Sequence, residues 1–150
     1  MFTTGGYPRK GALVIKGGGS GEVTDEIIWK SKNFSYVPTP VAHEGSLYWV
    51  NDEATINVMD LAEGESVTKR NVEAIKKRKK FSFYASIVRV GDKLVAVSRR
   101  EGIFIFELGK EMKLLRINSL GDESDFNATP AMAKDAIYLR SNQAVYCIAK

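Results

Sequence analysis

The chain carries little from which a reactive centre can be built. In 150 residues it has one cysteine, Cys147, and one histidine, His43. A single cysteine excludes an intrachain disulfide and any cysteine-based metal cluster. A single histidine excludes a multi-histidine metal site. No apolar run approaches the roughly 20 residues that a membrane span needs. The opening MFTTGGYPRKG has no basic start followed by an apolar stretch, so no export signal is expected in this sequence. Net charge is a modest +4, and helical periodicity is scarce, with only residues 69–80 offering a weak helical pattern. A hydrophobic content of 44% is ordinary for one globular domain with a core.

What the chain does have is repetition. Residues 39–60 read TPVAHEGSLYWVNDEATINVMD, residues 85–107 read ASIVRVGDKLVAVSRREGIFIFE, and residues 129–148 read TPAMAKDAIYLRSNQAVYCI. Each has a small or proline start, then three short apolar runs separated by polar turns. Pro40, Ser86 and Pro130 lie 46 and 44 residues apart, and Ile56, Ile103 and Val145 lie 47 and 42 apart. A partial copy precedes them. The phase of the repeat therefore predicts that the chain begins inside one unit and stops inside another.

The runs alternate and are rich in β-branched and aromatic residues, with Gly, Asp, Asn or Ser between them. Strands are expected near 1–4, 11–16, 26–31, 39–43, 46–50, 55–60, 66–72, 83–90, 93–98, 102–108, 112–118, 128–133, 136–140 and 144–148. Four strands per unit of about 45 residues is the period of a β-propeller. The expected fold is all-β: a partial β-propeller of about three to four blades of antiparallel four-stranded sheet, some incomplete. It forms a single partial propeller over residues 1–150, with blades near 1–36, 37–80, 81–124 and 125–150. A β-sandwich accounts for the short strands but not for the repeat.

The Thr39-Pro40 and Thr129-Pro130 starts, the second strands at residues 45–48 and 136–138, and the Asp60-Leu61-Ala62-Glu63-Gly64 turn carry a family resemblance. Residues 4–24 and Trp29-Lys30 add to it. Together they resemble the pyrroloquinoline-quinone-like, outer-membrane-assembly-like propeller repeats of bacterial proteins. Such proteins are usually exported, so the resemblance implies a periplasmic or extracytoplasmic location. In the quinone-dependent dehydrogenases the blade motif Ala-x-Asp-x-x-Thr-Gly-x-x-x-Trp places a tryptophan between blades. Asp60 and Gly64 fit that motif, but Val67 and Thr68 stand at the tryptophan position. The family's cofactor site also uses a vicinal disulfide in many members, which one cysteine cannot supply. No cofactor is expected.

The remaining candidate features read as structure first. Residues 16–22, KGGGSGE, lack the Gly-Lys-Ser/Thr and following helix of a phosphate loop and predict a flexible hairpin loop. His43 aligns with Arg89 and Lys134 and predicts a solvated rim position. Cys147 aligns with Val58 and Ile105 and predicts a core residue. Asp122, Glu123 and Asp125 lack the order of a calcium loop and predict a polar link between blades. The sharpest anomaly is basic: Lys69, Arg70, Lys76, Lys77, Arg78, Lys79 and Lys80 face one Glu73. Such a segment contacts an anionic partner or keeps a sheet edge solvated.

Propellers close with about 4–8 blades, whereas this length supplies about three and a third. An arc of that size leaves two blade faces bare. The expected function is therefore a non-enzymatic scaffold for protein interaction, with itself or another propeller segment completing the ring. The alternatives are a fragment of a quinone-dependent dehydrogenase or other ligand-binding propeller whose site lies outside this chain, and binding of an anionic surface or nucleic acid through residues 69–80.

Overall fold

The computed structural model describes residues 1–5, 10–75 and 81–149. Its strands are β1 (Phe2–Gly5), β2 (Gly11–Ile15), β3 (Ile27–Ser31), β4 (Val41–His43), β5 (Ser46–Val50), β6 (Thr55–Asp60) and β7 (Ser66–Asn71). They continue with β8 (Val88–Val90), β9 (Lys93–Val97), β10 (Ile103–Glu107), β11 (Leu114–Asn118), β12 (Ala131–Ala133), β13 (Ala136–Arg140) and β14 (Val145–Ala149). A 3₁₀ turn, Thr24–Glu26, precedes β3, and no α-helix forms among the described residues. Lys69 and Arg70, at the start of the weak helical pattern, lie in β7.

The strands form four antiparallel meanders in chain order: β1-β2-β3, β4-β5-β6-β7, β8-β9-β10-β11 and β12-β13-β14. Short turns set them. Glu44 and Gly45, both left-handed at φ 44° and 73°, close the β4–β5 hairpin in the pattern of a type I′ turn, whose twist suits flanking strands. The next hairpin of each later sheet is capped by a side chain at the repeat-equivalent place. Asn51 Oδ1 accepts from the Thr55 amide at 2.8 Å, Ser98 Oγ from the Glu101 amide at 3.0 Å and Ser141 Oγ from the Ala144 amide at 3.0 Å. The turn chemistry is therefore local, which is why the sequence repeats it.

Each sheet stacks on the next through apolar side chains. Leu47, Trp49 and Met59 of the second sheet meet Phe2 and Trp29 of the first. Its other face, with Tyr48, Val50, Ile56 and Val58, meets Leu94, Ala96, Phe104 and Phe106 of the third. Val95, Val97 and Ile103 on the far face of the third meet Leu139, Ile137 and Tyr146 of the fourth. A row of radially stacked meanders of this kind is a partial β-propeller.

Several expected strands are shorter than the sequence suggests, among them β4, β8, β11 and β12. Residues 83–87 form a buried strap between sheets and not the start of β8: Phe83, Ala85 and Ile87 are buried, yet none is in a strand. The strap ties its backbone across sheets, since Ser82 donates to Asp52 O at 2.8 Å and accepts from the Arg99 amide at 2.8 Å. Likewise Thr39 lies outside β4, because its amide donates to Ser86 Oγ at 2.9 Å. The Ser86 amide in turn donates to Thr129 Oγ1 at 3.0 Å. These three residues link successive sheets in series.

The first junction is closed by a tryptophan. Trp29 Nε1 donates to Leu61 O at 2.9 Å, and its indole lies over Gly64, which is left-handed at φ 72°. A Cβ at Gly64 would fall 2.5 Å from the ring. At the next junction Thr68 Oγ1 reaches Lys110 O at 2.8 Å and Arg70 reaches Glu111 O at 3.1 Å. Gly64→Ala is expected to destabilise the protein by about 1–2 kcal/mol for the left-handed backbone alone, and by more for displacing the ring. Chemical denaturation of the two proteins measures it. An unchanged midpoint would mean that Trp29 does not pack here.

Candidate interaction surfaces

Stacking four sheets in a row leaves two faces without a neighbour. On the first sheet the register places Thr3, Leu13 and Lys30 side by side, opposite to the face of Phe2, Val14 and Trp29 that meets the second sheet. Ile28, beside them in β3, is 59% exposed. On the fourth sheet, Tyr138 pairs with Cys147 and Arg140 with Val145, opposite to the face of Ile137, Leu139, Tyr146 and Ile148. Tyr138 is 39% and Val145 68% exposed. The hydroxyl of Tyr138 is held above its ordinary range by the hydrogen bond to Cys147 beside it.

Cys147 is therefore exposed, contrary to the expectation that it is core. The repeat reasoning identifies its position, since Val58 and Ile105 point toward a following sheet. Cys147 points the same way, where the described residues place no further sheet.

Between the third and fourth sheets runs an apolar groove of about 500 Å³, lined by Val95, Ile105, Leu120, Met132, Ile137 and Ile148 among others. At the preceding junction the corresponding space is filled by Phe106 and Met112, both fully buried. Ile148 stands in the repeat where Phe106 does and is smaller, so its sheet packs less tightly.

The polar candidates take structural places. His43 Nδ1 lies 3.1 Å from an Arg89 guanidinium nitrogen. Guanidinium only donates, so Nδ1 is placed as the acceptor, and Nε2 lies 3.5 Å from Glu44. Two of the aligned rim residues thus meet across adjacent sheets. Residues 16–22 span the link from β2 toward β3 and lead into a 3₁₀ turn and a strand, so no helix terminus faces them. Among the described residues, no group of three or more His, Cys, Asp or Glu side chains is placed to hold a metal ion.

Of the basic segment, Lys69 and Arg70 lie on β7. Arg70 is engaged with the carbonyls of Glu111 and Met112. Lys76, Lys77, Arg78, Lys79 and Lys80 lie outside the described residues. Lys69 and Arg70 also border a polar cleft of about 480 Å³ with Lys32, Asn33 and Glu53.

Sequence reasoning places Asp122 and Asp125 on a link between blades but misses what they do there. Asp122 accepts from Ser141 Oγ at 2.5 Å, Tyr146 Oη at 2.8 Å and the Ser124 amide at 2.8 Å. Asp125 pairs with Arg99, and with Arg100 at 2.6 Å. The Ser141 hydroxyl, followed by Ser124 and Tyr146, holds the Asp122 carboxyl far below its ordinary range. The Arg100 hydrogen bond, with Arg99 behind it, lowers Asp125 as well. Together they fasten the third sheet to the fourth beside the groove.

No family model and no curated protein matches this chain. Solved structures do. The chain aligns with the computationally designed Ika4 protein at a TM-score of 0.65 and 11% identity, covering 93% of this chain and 79% of that one. It aligns with BamB from Moraxella catarrhalis at 0.68 and 12% identity, over 93% of this chain and 42% of BamB. A europium-containing methanol dehydrogenase aligns at 0.50 and 11% identity, over 83% of this chain and 23% of that one. These likenesses establish a propeller fold. The chain spans less than half the length of BamB.

The aspartate fastening predicts an acid sensitivity. Both carboxyls have folded values below their ordinary 3.8, so the unfolded chain binds more protons as the pH falls. Their contribution is complete above about pH 4 and is lost as the pH drops below it. The melting temperature should fall as the pH is lowered from about 4 toward 2, and Asp122→Asn should flatten that dependence. An equally steep dependence in the variant would remove Asp122 as its source.

Proposed function

We propose that the chain is a non-enzymatic β-propeller segment that acts as a protein-interaction scaffold, its uncovered sheet faces taking a complementary propeller segment. One observation carries this reading: Tyr138, Val145 and Cys147 at one end, and Leu13 and Ile28 at the other, occupy faces whose counterparts at each interior junction are covered. Faces of that kind on a soluble protein mark interaction sites. The family resemblance supports a propeller role of this type, and a saturable titration with the quinone and calcium would overturn the non-enzymatic part of it. Light scattering with a hydrophobic dye tests the whole. Either association or dye binding is expected; a stable, compact monomer that binds no dye would refute the scaffold.

A separate contact through residues 69–80 is favoured by the run of like charge. Retention on an anionic matrix should fall steeply with salt and be lost when Lys76, Lys77, Arg78, Lys79 and Lys80 are neutralised together. Retention that ignores either change removes that contact.

A further inference from the structure

We infer that the complementary segment is a second copy of this chain, packed head to tail so that two arcs close into one ring. The inference rests on the scaffold reading and names its partner. At every interior junction a face of one kind meets a face of the other kind. The first sheet offers Phe2, Val14 and Trp29 forward to Leu47 and Trp49; the second offers Tyr48 and Val58 forward to Leu94 and Phe106; the third offers Val95 and Ile103 forward to Ile137 and Leu139. The two uncovered faces are the remaining pair. The fourth sheet presents a forward face with Tyr138 and Cys147, and the first presents a backward face with Thr3 and Leu13.

A forward face cannot meet another forward face as the interior junctions do. A two-fold pairing through one shared patch would therefore leave the other end bare. Joining forward to backward uses both ends at once. With two copies it forms two identical junctions and a closed ring of eight sheets, within the range in which propellers close. Chemistry at the two faces agrees. Leu13 stands on β2, the counterpart of β6 in the full sheets, and Tyr138 on β13, the counterpart of β5. Leu13 lies between Thr3 and Lys30, and a lysine stem can cover apolar surface while its ammonium stays in water. Tyr138 lies beside Ala131 and Cys147, leaving small neighbours around one large ring.

The test uses two charge variants, Leu13→Glu and Tyr138→Glu, and light scattering of the full chain. Wild type should run at about 33 kDa, twice its 16.6 kDa. Each variant alone should run as a monomer, because every junction contains both faces. An equimolar mixture of the two should regain the two-chain mass, since it holds one junction with both faces intact. Thr3→Glu and Val145→Glu, at more exposed places on the same faces, replace either variant that fails to fold by circular dichroism. Cys147 should react with a thiol reagent in the variants and be protected in the wild type. A wild-type monomer that binds dye overturns the second copy while leaving the scaffold reading intact. Assembly beyond two chains, association lost in only one variant, or a mixture that stays monomeric each overturns the head-to-tail ring.

Discussion

Every other feature of this molecule depends on sheets that are apolar on both faces. In β5, Leu47, Tyr48, Trp49 and Val50 are buried in succession, and in β9 so are Leu94, Val95, Ala96 and Val97. Side chains alternate across a strand, so four buried neighbours in a row require cover on both sides. A sheet of this kind cannot serve as the outer layer of a sandwich, and it forces stacking. Magnitudes agree on what holds the stack. Truncating a buried phenylalanine such as Phe104 or Phe106 costs about 3–5 kcal/mol, whereas an exposed ion pair contributes about 0–1 kcal/mol. The Arg100–Asp125 pair, with Arg100 mostly exposed, therefore aligns a junction that packing has already formed.

Stacking raises a backbone problem, because the straps that cross between sheets are themselves buried. Buried amides and carbonyls need partners. The chain meets this with repeated solutions. Ser82 is bonded to the hairpins of two successive sheets through Asp52 and Arg99, and the same arrangement recurs where Phe126 donates to Arg99 and Asn142 to Asp125. Thr39, Ser86 and Thr129 add a second serial link. Hydroxyl residues at the start of each repeat thus have a structural use that their sequence pattern alone does not reveal.

How much was legible follows from how local each cause is. Hairpin turns depend on two to five adjacent residues, so Glu44-Gly45 and the Asn51, Ser98 and Ser141 caps mark their strands in the sequence itself. The period, the all-β class and the succession of strands follow from them. Contacts between sheets depend on residues about 30 to 47 apart, and the sequence does not announce those. Trp29 over Gly64, 35 residues away, carries a recognisable signal only in retrospect: a glycine closing a turn one unit after a tryptophan. The strap at 83–87 reads as a strand because buried links and buried strands have the same composition. Cys147 reads as core because repeat position predicts which way a side chain points, not whether anything meets it.

That distinction separates the two ends of the arc. Repeat arrays need terminal units with a more polar outer face. The first sheet moves in that direction, since its outer row pairs Leu13 with Thr3 and Lys30, where the inward row of the second sheet has Leu47, Trp49 and Met59. The fourth sheet has not moved as far: Tyr138, Val145 and Cys147 retain the character of an interior junction. Arg140 shares the forward face of the fourth sheet with Tyr138 and Val145, so both faces are amphipathic, and a lysine stem and threonine methyl can cover an aromatic ring while polar ends remain at the rim of a junction.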